Sequence, residues 1–307
     1  MQRIEASWQA LTHRTGLRAL DLIARWIRAQ VDRIGARGCV LGVSGGVDSS
    51  LAAVLLARAV PERSRAYLLP CGGDPQDLDD ARALLDALQL PYTLIDLRPV
   101  LASMTRRLGT VSAAQRRLVQ GNLVSRLRND VLYHEANRTG CLVVGTGDLD
   151  ETYLGYSSKG TTADLFPITG LHKDEVRALL RVGLAAVDEE LALRLSAKPA
   201  SPGYWKGQDA EDELGMPYTR IGAALDVIIG QCRIEAEGVV PWDEAELLEV
   251  LSSTDLRRDE FMRVIDLVMA GHHKAFGSPA LWRPEPFAGD ATTHRSKSTR
   301  RGKARKR

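Results

Sequence analysis

The sequence predicts an α/β fold: a doubly wound, mostly parallel sheet flanked by helices and followed by further helical segments. Three observations predict it. Short apolar runs alternate with segments of helical periodicity through the first half of the chain, the first run enters a glycine-rich turn that opens a helix, and the connections are short and carry Pro or Gly. With 307 residues, 44% of them hydrophobic and 26% charged, the chain has material for one large globular domain, which is expected over 1–290.

Leu20, Ile23, Ala24, Ile27 and Val31 recur at three- and four-residue steps, predicting a first helix over 17–34 that ends before Gly35 and Gly38. The period then changes. The apolar run 39–43 reads as a strand, 44–48 as a tight loop, and 49–60, rich in Leu, Ala and Val, as a helix. The unit repeats with a strand at 66–69, a helix at 76–88 and a strand at 92–97. A long helix at 113–138 leads into the strand 141–145, which ends in Thr146-Gly147-Asp148, and polar residues at the end of such a strand mark a ligand site. Beyond Pro167 helices are expected near 173–181, 218–231, 242–252 and 259–270. The Pro-rich stretch 279–286 closes the fold, and the Ser, Thr, Gly, Lys and Arg that dominate 291–307 read as a disordered basic tail.

Charge is unevenly spread. Eight of the 41 basic residues lie in the last thirteen positions, so the remaining 33 are outnumbered by 39 acidic ones, and only the tail has the balance of a nucleic-acid binder. Cys39, Cys71, Cys141 and Cys232 stand far apart with no Cys-x-x-Cys pair, which suggests neither a disulfide framework nor a zinc or iron–sulfur site. No stretch approaches the roughly 18 to 20 apolar residues of a membrane span. The first residues, Met-Gln-Arg-Ile-Glu-Ala, have no apolar signal core, and a cytoplasmic protein is expected.

The chemistry centres on Gly42-Val43-Ser44-Gly45-Gly46-Val47-Asp48-Ser49. Small residues let successive backbone N–H groups close on an anion, the following helix adds its N-terminal dipole, and the hydroxyls of Ser44 and Ser49 can donate. The loop lacks the Gly-Lys-Ser/Thr ending of a Walker loop and is no G-x-G-x-x-G turn. Asp48 would repel a bare phosphate, so its natural place is on a magnesium ion that bridges phosphate oxygens. On the long helix, Asn122, Arg126, Asp130, Tyr133 and Asn137 share a polar face open to a ligand, while Val119, Leu123, Leu127 and Val131 form an apolar one.

The loop resembles the Ser-Gly-Gly-x-Asp-Ser loop of the N-type ATP pyrophosphatases, which cleave ATP to AMP and pyrophosphate to activate an acyl group or its equivalent. NAD synthetase, GMP synthetase, asparagine synthetase, argininosuccinate synthetase and tRNA-thiolating enzymes share it. Gly121-Asn122 with Arg126, Leu132-Tyr133, Gly145-Thr146-Gly147, Glu151, Gly155-Tyr156, Asp164 to Ile168, Lys173, Gly207-Gln208, Asp212 to Gly215 with Tyr218, and His273-Lys274 are similar to NAD synthetase in order and spacing. That resemblance spans about 17–282. It implies an adenine nucleotide alpha hydrolase-like, Rossmann-like fold and a ligase that amidates deamido-NAD to NAD with ATP and ammonia through an acyl adenylate. By the same resemblance, residues 42–49, Thr146, Lys173 and Ser201 contact ATP, Asp48 and Glu151 share Mg2+, and Asp48 and Lys173 serve catalysis. Arg126, Lys159 and Asp164 hold deamido-NAD, over which His273 and Lys274 close. Asp148 and Asp150 read as loop or cap residues.

Glutamine-using members carry a nitrilase-like domain before the synthetase portion, whereas about forty residues precede the loop here, so free ammonia or a separate ammonia-supplying protein is implied. The family is homodimeric with the acceptor at the subunit interface, and a dimer is expected. Two segments depart from the pattern. The family's Thr-Lys-Tyr/Phe-Gly-Asp-Gly appears as Ser158-Lys159-Gly160-Thr161-Thr162-Ala163-Asp164, about two residues shorter, and its Pro-Thr/Ser-Ala-Gly/Asp-Leu segment as Pro199 to Trp205 with one insertion. Both lie in substrate loops, which points to altered acceptor specificity before loss of ATP binding. Three alternatives stay open: a paralogue adenylating another carboxylate, a nucleic-acid-modifying ATP pyrophosphatase using the tail, and a non-catalytic adenine-nucleotide binder.

Overall fold

In the computed structural model, residues 13–109, 111–235 and 238–275 are described; the expected tail at 291–307, the Pro-rich stretch at 279–286 and the end of the expected domain lie outside them. Four strands, β1 (Cys39–Gly42), β2 (Ser64–Leu68), β3 (Tyr92–Leu94) and β4 (Leu142–Val144), form a parallel sheet in the order β3-β2-β1-β4. Cys39 pairs with Ser64 on one side and Leu142 on the other, and Ala66 pairs with Tyr92. A further parallel bridge, Val144 to Leu165, extends the sheet beyond β4. The chain moves outward from β1 to β3 and returns to the opposite edge at β4, so the switch point lies between β1 and β4, where a doubly wound sheet opens a crevice at its carboxyl ends.

Helices α1 (His13–Ile34), α2 (Val47–Ala59) and α3 (Pro75–Ala87) cover one face together with α7 (Lys173–Ala185) and α8 (Glu189–Ser196). Leu20, Ile27, Leu51, Leu55, Val176 and Leu184 share its core. α2 is buried on nearly every side, which is why its sequence is apolar all round with no polar stripe. The other face is covered by α5 (Ala113–Thr139), whose Val124, Leu132 and Ala136 lie on Val40, Tyr67 and Val143. β1 and β2 are thus buried on both faces, as the near-continuous apolar runs predict.

The burial of α5 corrects the sequence reading. Val119 is exposed and Leu123, Leu127 and Val131 only half-buried; the buried stripe is Gly121, Val124, Leu132 and Ala136, a different face. Helix α4 (Arg98–Leu108), with no buried residue, precedes it and escaped the periodicity argument for that reason. The short helices α6 (Leu149–Leu154), α8 and α9 (Ala210–Leu214) were not foreseen either. Each is too short for a clear period, and each is started by an aspartate, Asp148, Asp188 or Asp209, whose side chain accepts a first-turn N–H.

Helices α6, α9, α10 (Tyr218–Gly230), α11 (Glu244–Ser252) and α12 (Arg258–Ala275), with the hairpin β5 (Ile234–Glu235) and β6 (Gly238–Val239), surround a second core of Leu154, Ile221, Leu225, Phe261 and Val268. α12 crosses the end of α6 at backbone contact: a Cβ on Gly271 would overlap the Leu154 carbonyl, and Gly155 turns at φ 60° against Gly271. Only glycine permits that approach, and it carries Lys274 to the crevice. Among the described residues no helix is long and apolar enough to cross a membrane.

Candidate functional site

The glycine loop leaves β1 at the sheet's carboxyl end and braces itself. Ser49 Oγ donates to the Gly46 carbonyl at 3.1 Å and accepts from the Ser44 N–H at 3.1 Å, while Ser44 Oγ accepts from the Gly46 N–H at 3.2 Å. Gly46 occupies the N-cap of α2 without a side-chain cap, so the first-turn N–H groups keep the orientation that suits an anion. Gly45 adopts φ 82°, and a Cβ there would overlap the Asp77 carbonyl, so no other residue fits. Its own carbonyl accepts from Lys198 Nζ at 3.0 Å, and that ammonium also donates to Asp77 Oδ1 at 2.6 Å and Asp80 Oδ2 at 2.7 Å. Lys198, which lies three residues before Ser201 and was not singled out by the sequence, clasps the loop to α3.

Behind the loop lies a lysine among three carboxylates. Lys173 Nζ donates to Asp48 Oδ1 at 2.8 Å and Oδ2 at 2.7 Å, and to Glu151 Oε1 at 2.8 Å; it lies 3.0 Å from Asp148 Oδ2. The lysine is wholly buried. Burial alone would lower its pKa, but the carboxylates of Asp48, Glu151 and Asp148 outweigh it and hold the pKa well above the ordinary value. Tyr218 adds its ring face 5.1 Å from the ammonium. Burial raises Asp148 well above the usual carboxylate range, with the Glu151 charge adding to it; Glu151 is also raised, by burial first.

One oxygen from each of Asp48, Asp148 and Glu151 lies within 4.8 Å of the others. Asp148 Oδ2 is buried and, although in ion-pair contact with Lys173, is not aligned for any hydrogen bond. Three carboxylates brought this close are a donor set of the kind that suits a hard divalent cation, and the Lys173 ammonium lies within 3.0 Å of each of them. Asp148 therefore does more than the cap predicted for it: Oδ1 accepts from the Glu151 N–H at 2.8 Å and starts α6, while Oδ2 joins the cluster. Asp150 has a different task. Its Oδ2 accepts from the Lys173 N–H at 2.8 Å and its Oδ1 meets His172 Nδ1, whose Nε2 lies 3.0 Å from Asp226 Oδ1. Burial opposes the charge on His172, but hydrogen bonds to Asp150 and Asp226 raise its pKa to about 10. This brace fixes the start of α7 and so the root of Lys173.

A cavity of about 740 Å³ joins these parts. Of the residues expected to contact ATP, Gly42, Val43, Ser44, Gly46, Asp48, Ser49, Thr146 and Ser201 line it, as do Glu151 and Lys274. Gly45, Val47 and Lys173 stand behind that lining. Arg126, Lys159, Asp164 and His273 do not line it. Arg126 Nε donates to the Lys159 carbonyl at 2.8 Å, Asn129 Nδ2 to the Thr162 carbonyl at 2.7 Å, and Ser158 Oγ to Asn122 Oδ1 at 2.7 Å. Asp164 Oδ2 accepts from the Val143 N–H at 2.7 Å. The polar face of α5 read as open to a ligand is therefore met at Asn122, Arg126 and Tyr133 by the chain's own segment 157–164, while Asp130 and Asn137 stay exposed. Lys274 Nζ donates to the Ser157 carbonyl at 3.3 Å, and His273 is exposed with Nδ1 3.0 Å from the Ala270 carbonyl.

A family model described as NAD synthase matches residues 19–275. An NH(3)-dependent NAD(+) synthetase of Hyperthermus butylicus is 38% identical over 272 residues, 87% of this chain and 90% of that protein. One of Aeropyrum pernix is 36% identical over 258 residues, 82% and 84% of the two chains. The solved structure of NMN synthetase from Francisella tularensis superposes with a TM-score of 0.70 at 25% identity, covering 86% of this chain and 97% of that one. A glycine loop, a lysine–carboxylate cluster and a crevice at the carboxyl ends of a parallel sheet thus coincide with sequence similarity over most of the chain, which belongs to the NAD synthase family.

Proposed function

We propose that this protein amidates deamido-NAD to NAD with ATP and ammonia, releasing AMP and pyrophosphate. The observation that carries the reading is that the glycine loop, Asp48 and Glu151 line one cavity, with Asp148 and Lys173 joined to those two carboxylates behind its wall. The N–H groups at the start of α2 and the Ser44 hydroxyl face the triphosphate, with Thr146 and Ser201 on the walls. Asp48 and Glu151, joined by Asp148, would hold Mg2+, which when bound supplies neutralisation of phosphate oxygens. Lys173, behind the cavity wall, keeps the three carboxylates from repelling one another. The nicotinate carboxylate attacks the α-phosphorus, pyrophosphate leaves, and ammonia then displaces AMP from the acyl adenylate. Both nucleophiles arrive with the substrates, so the protein contributes positioning and charge.

Arg126, Lys159 and Asp164 would hold the dinucleotide outside the cavity, with His273 and Lys274 closing over it. Their exposure supports an acceptor site completed by a second subunit, and hence a homodimer. The test is incubation with ATP, Mg2+ and deamido-NAD, with ammonium or glutamine as nitrogen source and nicotinate mononucleotide as a competing acceptor, read by mass spectrometry. NAD and AMP in equal amounts with ammonium, and little with glutamine, are expected. Amide formed from the mononucleotide alone would replace the acceptor, and ATP binding without AMP would remove the reaction.

A further inference from the structure

The face of α5 turned to the cavity is neither of the two the sequence suggested. Ser125, Arg128, Asn129 and Leu132, at steps of three, one and three, line the cavity, and Arg128 is the cation among them. Its Nε donates to the Leu69 carbonyl at the end of β2 at 3.2 Å, which fixes the plane of the guanidinium. Among the described residues no carboxylate forms an ion pair with it. Asp77, the acid whose charge reaches it, gives Oδ1 to Lys198. Arg128 is half-buried, and that burial lowers its pKa. A desolvated arginine without a counter-ion is costly unless an anion completes it.

We propose that Arg128 binds a pair of oxyanion oxygens that substrate brings into this cavity: the α-phosphoryl oxygens of ATP or the carboxylate that attacks them. These two groups become bonded to each other in the acyl adenylate, and the guanidinium fork matches the geometry of either. The assignment rests on the reaction proposed above and adds a binding residue to it. Arg126, two positions away, does not serve in its place, because it lies outside the cavity lining that Arg128 joins.

Arg128→Met and Arg128→Lys, titrated calorimetrically with ATP and with deamido-NAD separately, test it. Loss of a charge-assisted pair weakens binding on the order of ten- to a hundredfold. A loss confined to ATP identifies the phosphoryl oxygens as the source, a loss confined to deamido-NAD the carboxylate, and Arg128→Lys recovers part of either. Ligand affinities and AMP formation within about twofold of wild type overturn the proposal, as does a lowered melting temperature with unchanged affinity of the folded protein. If Arg128→Met does not fold, Arg128→Lys, which keeps the charge and loses the fork, decides by the same titrations. Wild-type protein that binds ATP yet forms no AMP with deamido-NAD would remove the reaction and leave the ATP titration of Arg128 to stand by itself.

Discussion

The cluster behind the glycine loop and the segment over α5 are built in opposite ways. Lys173 is wholly buried, contacts carboxylates from both α2 and α6, and is rooted by the Asp150–His172 brace. Lys159 and Asp164 stand exposed, and the segment between them is held through backbone carbonyls that Arg126 and Asn129 reach. One region is finished before any ligand arrives; the other anchors Asp164 on the Val143 N–H and leaves the Lys159 ammonium for a ligand or partner to order. The difference teaches where the chain can vary: 157–164 is held in good part through backbone carbonyls that a change of side chain preserves, whereas each carboxylate beside Lys173 enters the cluster with its own side chain.

Asp48→Asn gives the largest expected effect on that comparison. AMP formation should fall on the order of a hundred- to a thousandfold. The fold should survive, because Asp148 and Glu151 still neutralise Lys173. Pyrophosphate release and the urea midpoint, measured together, check both halves; wild-type turnover in the variant would take Asp48 out of the reacting site.

The brace predicts a pH dependence. The folded-state pKa of His172, about 10, lies above the ordinary imidazole value of 6.5. A raised pKa means that the imidazolium's contribution is complete below pH 6.5 and is lost as pH rises toward 10. The shift corresponds to at most a few kcal/mol, discounted because Asp226 is largely exposed. Urea midpoints should decline over that window in wild type and stay flatter in His172→Gln. Parallel curves for the two proteins would mean that His172 carries no charge in the folded state.

The sequence made the sheet and the loop readable because both are local signals: an apolar run, then glycines, then a helix. Asp48 was singled out by the loop it stands in and Glu151 by the family resemblance, and the structure sets both carboxylates beside Lys173. Arg128 was hidden by the choice of helix face. Gly121, Val124, Leu132 and Ala136 form the buried stripe, and Arg128 falls in it at the four-residue step between Val124 and Leu132, a cation among apolar residues that periodicity could have flagged. Lys198 and the second role of Asp148 depend on contacts between residues far apart in sequence, to Gly45 and Lys173 respectively, and no local pattern encodes them.

The smallest expected effect tests the exposed region directly. Among the described residues nothing pairs with the Lys159 ammonium; the contact its residue makes is through the carbonyl, which any side chain at that position preserves. Lys159→Met therefore keeps the segment's course and removes only a solvated charge. If that charge meets deamido-NAD, the KM for the acceptor should rise about threefold to tenfold, the range of a partly screened charge contact, with kcat and the KM for ATP unchanged. A fall in kcat comparable to that of Asp48→Asn would show that the segment is as pre-built as the cluster, and the contrast between the two regions would collapse. An unchanged acceptor KM would instead mean that the shortened segment has turned Lys159 away from the ligand, leaving Arg126 and Lys274 to supply the positive charge on that side of the cavity.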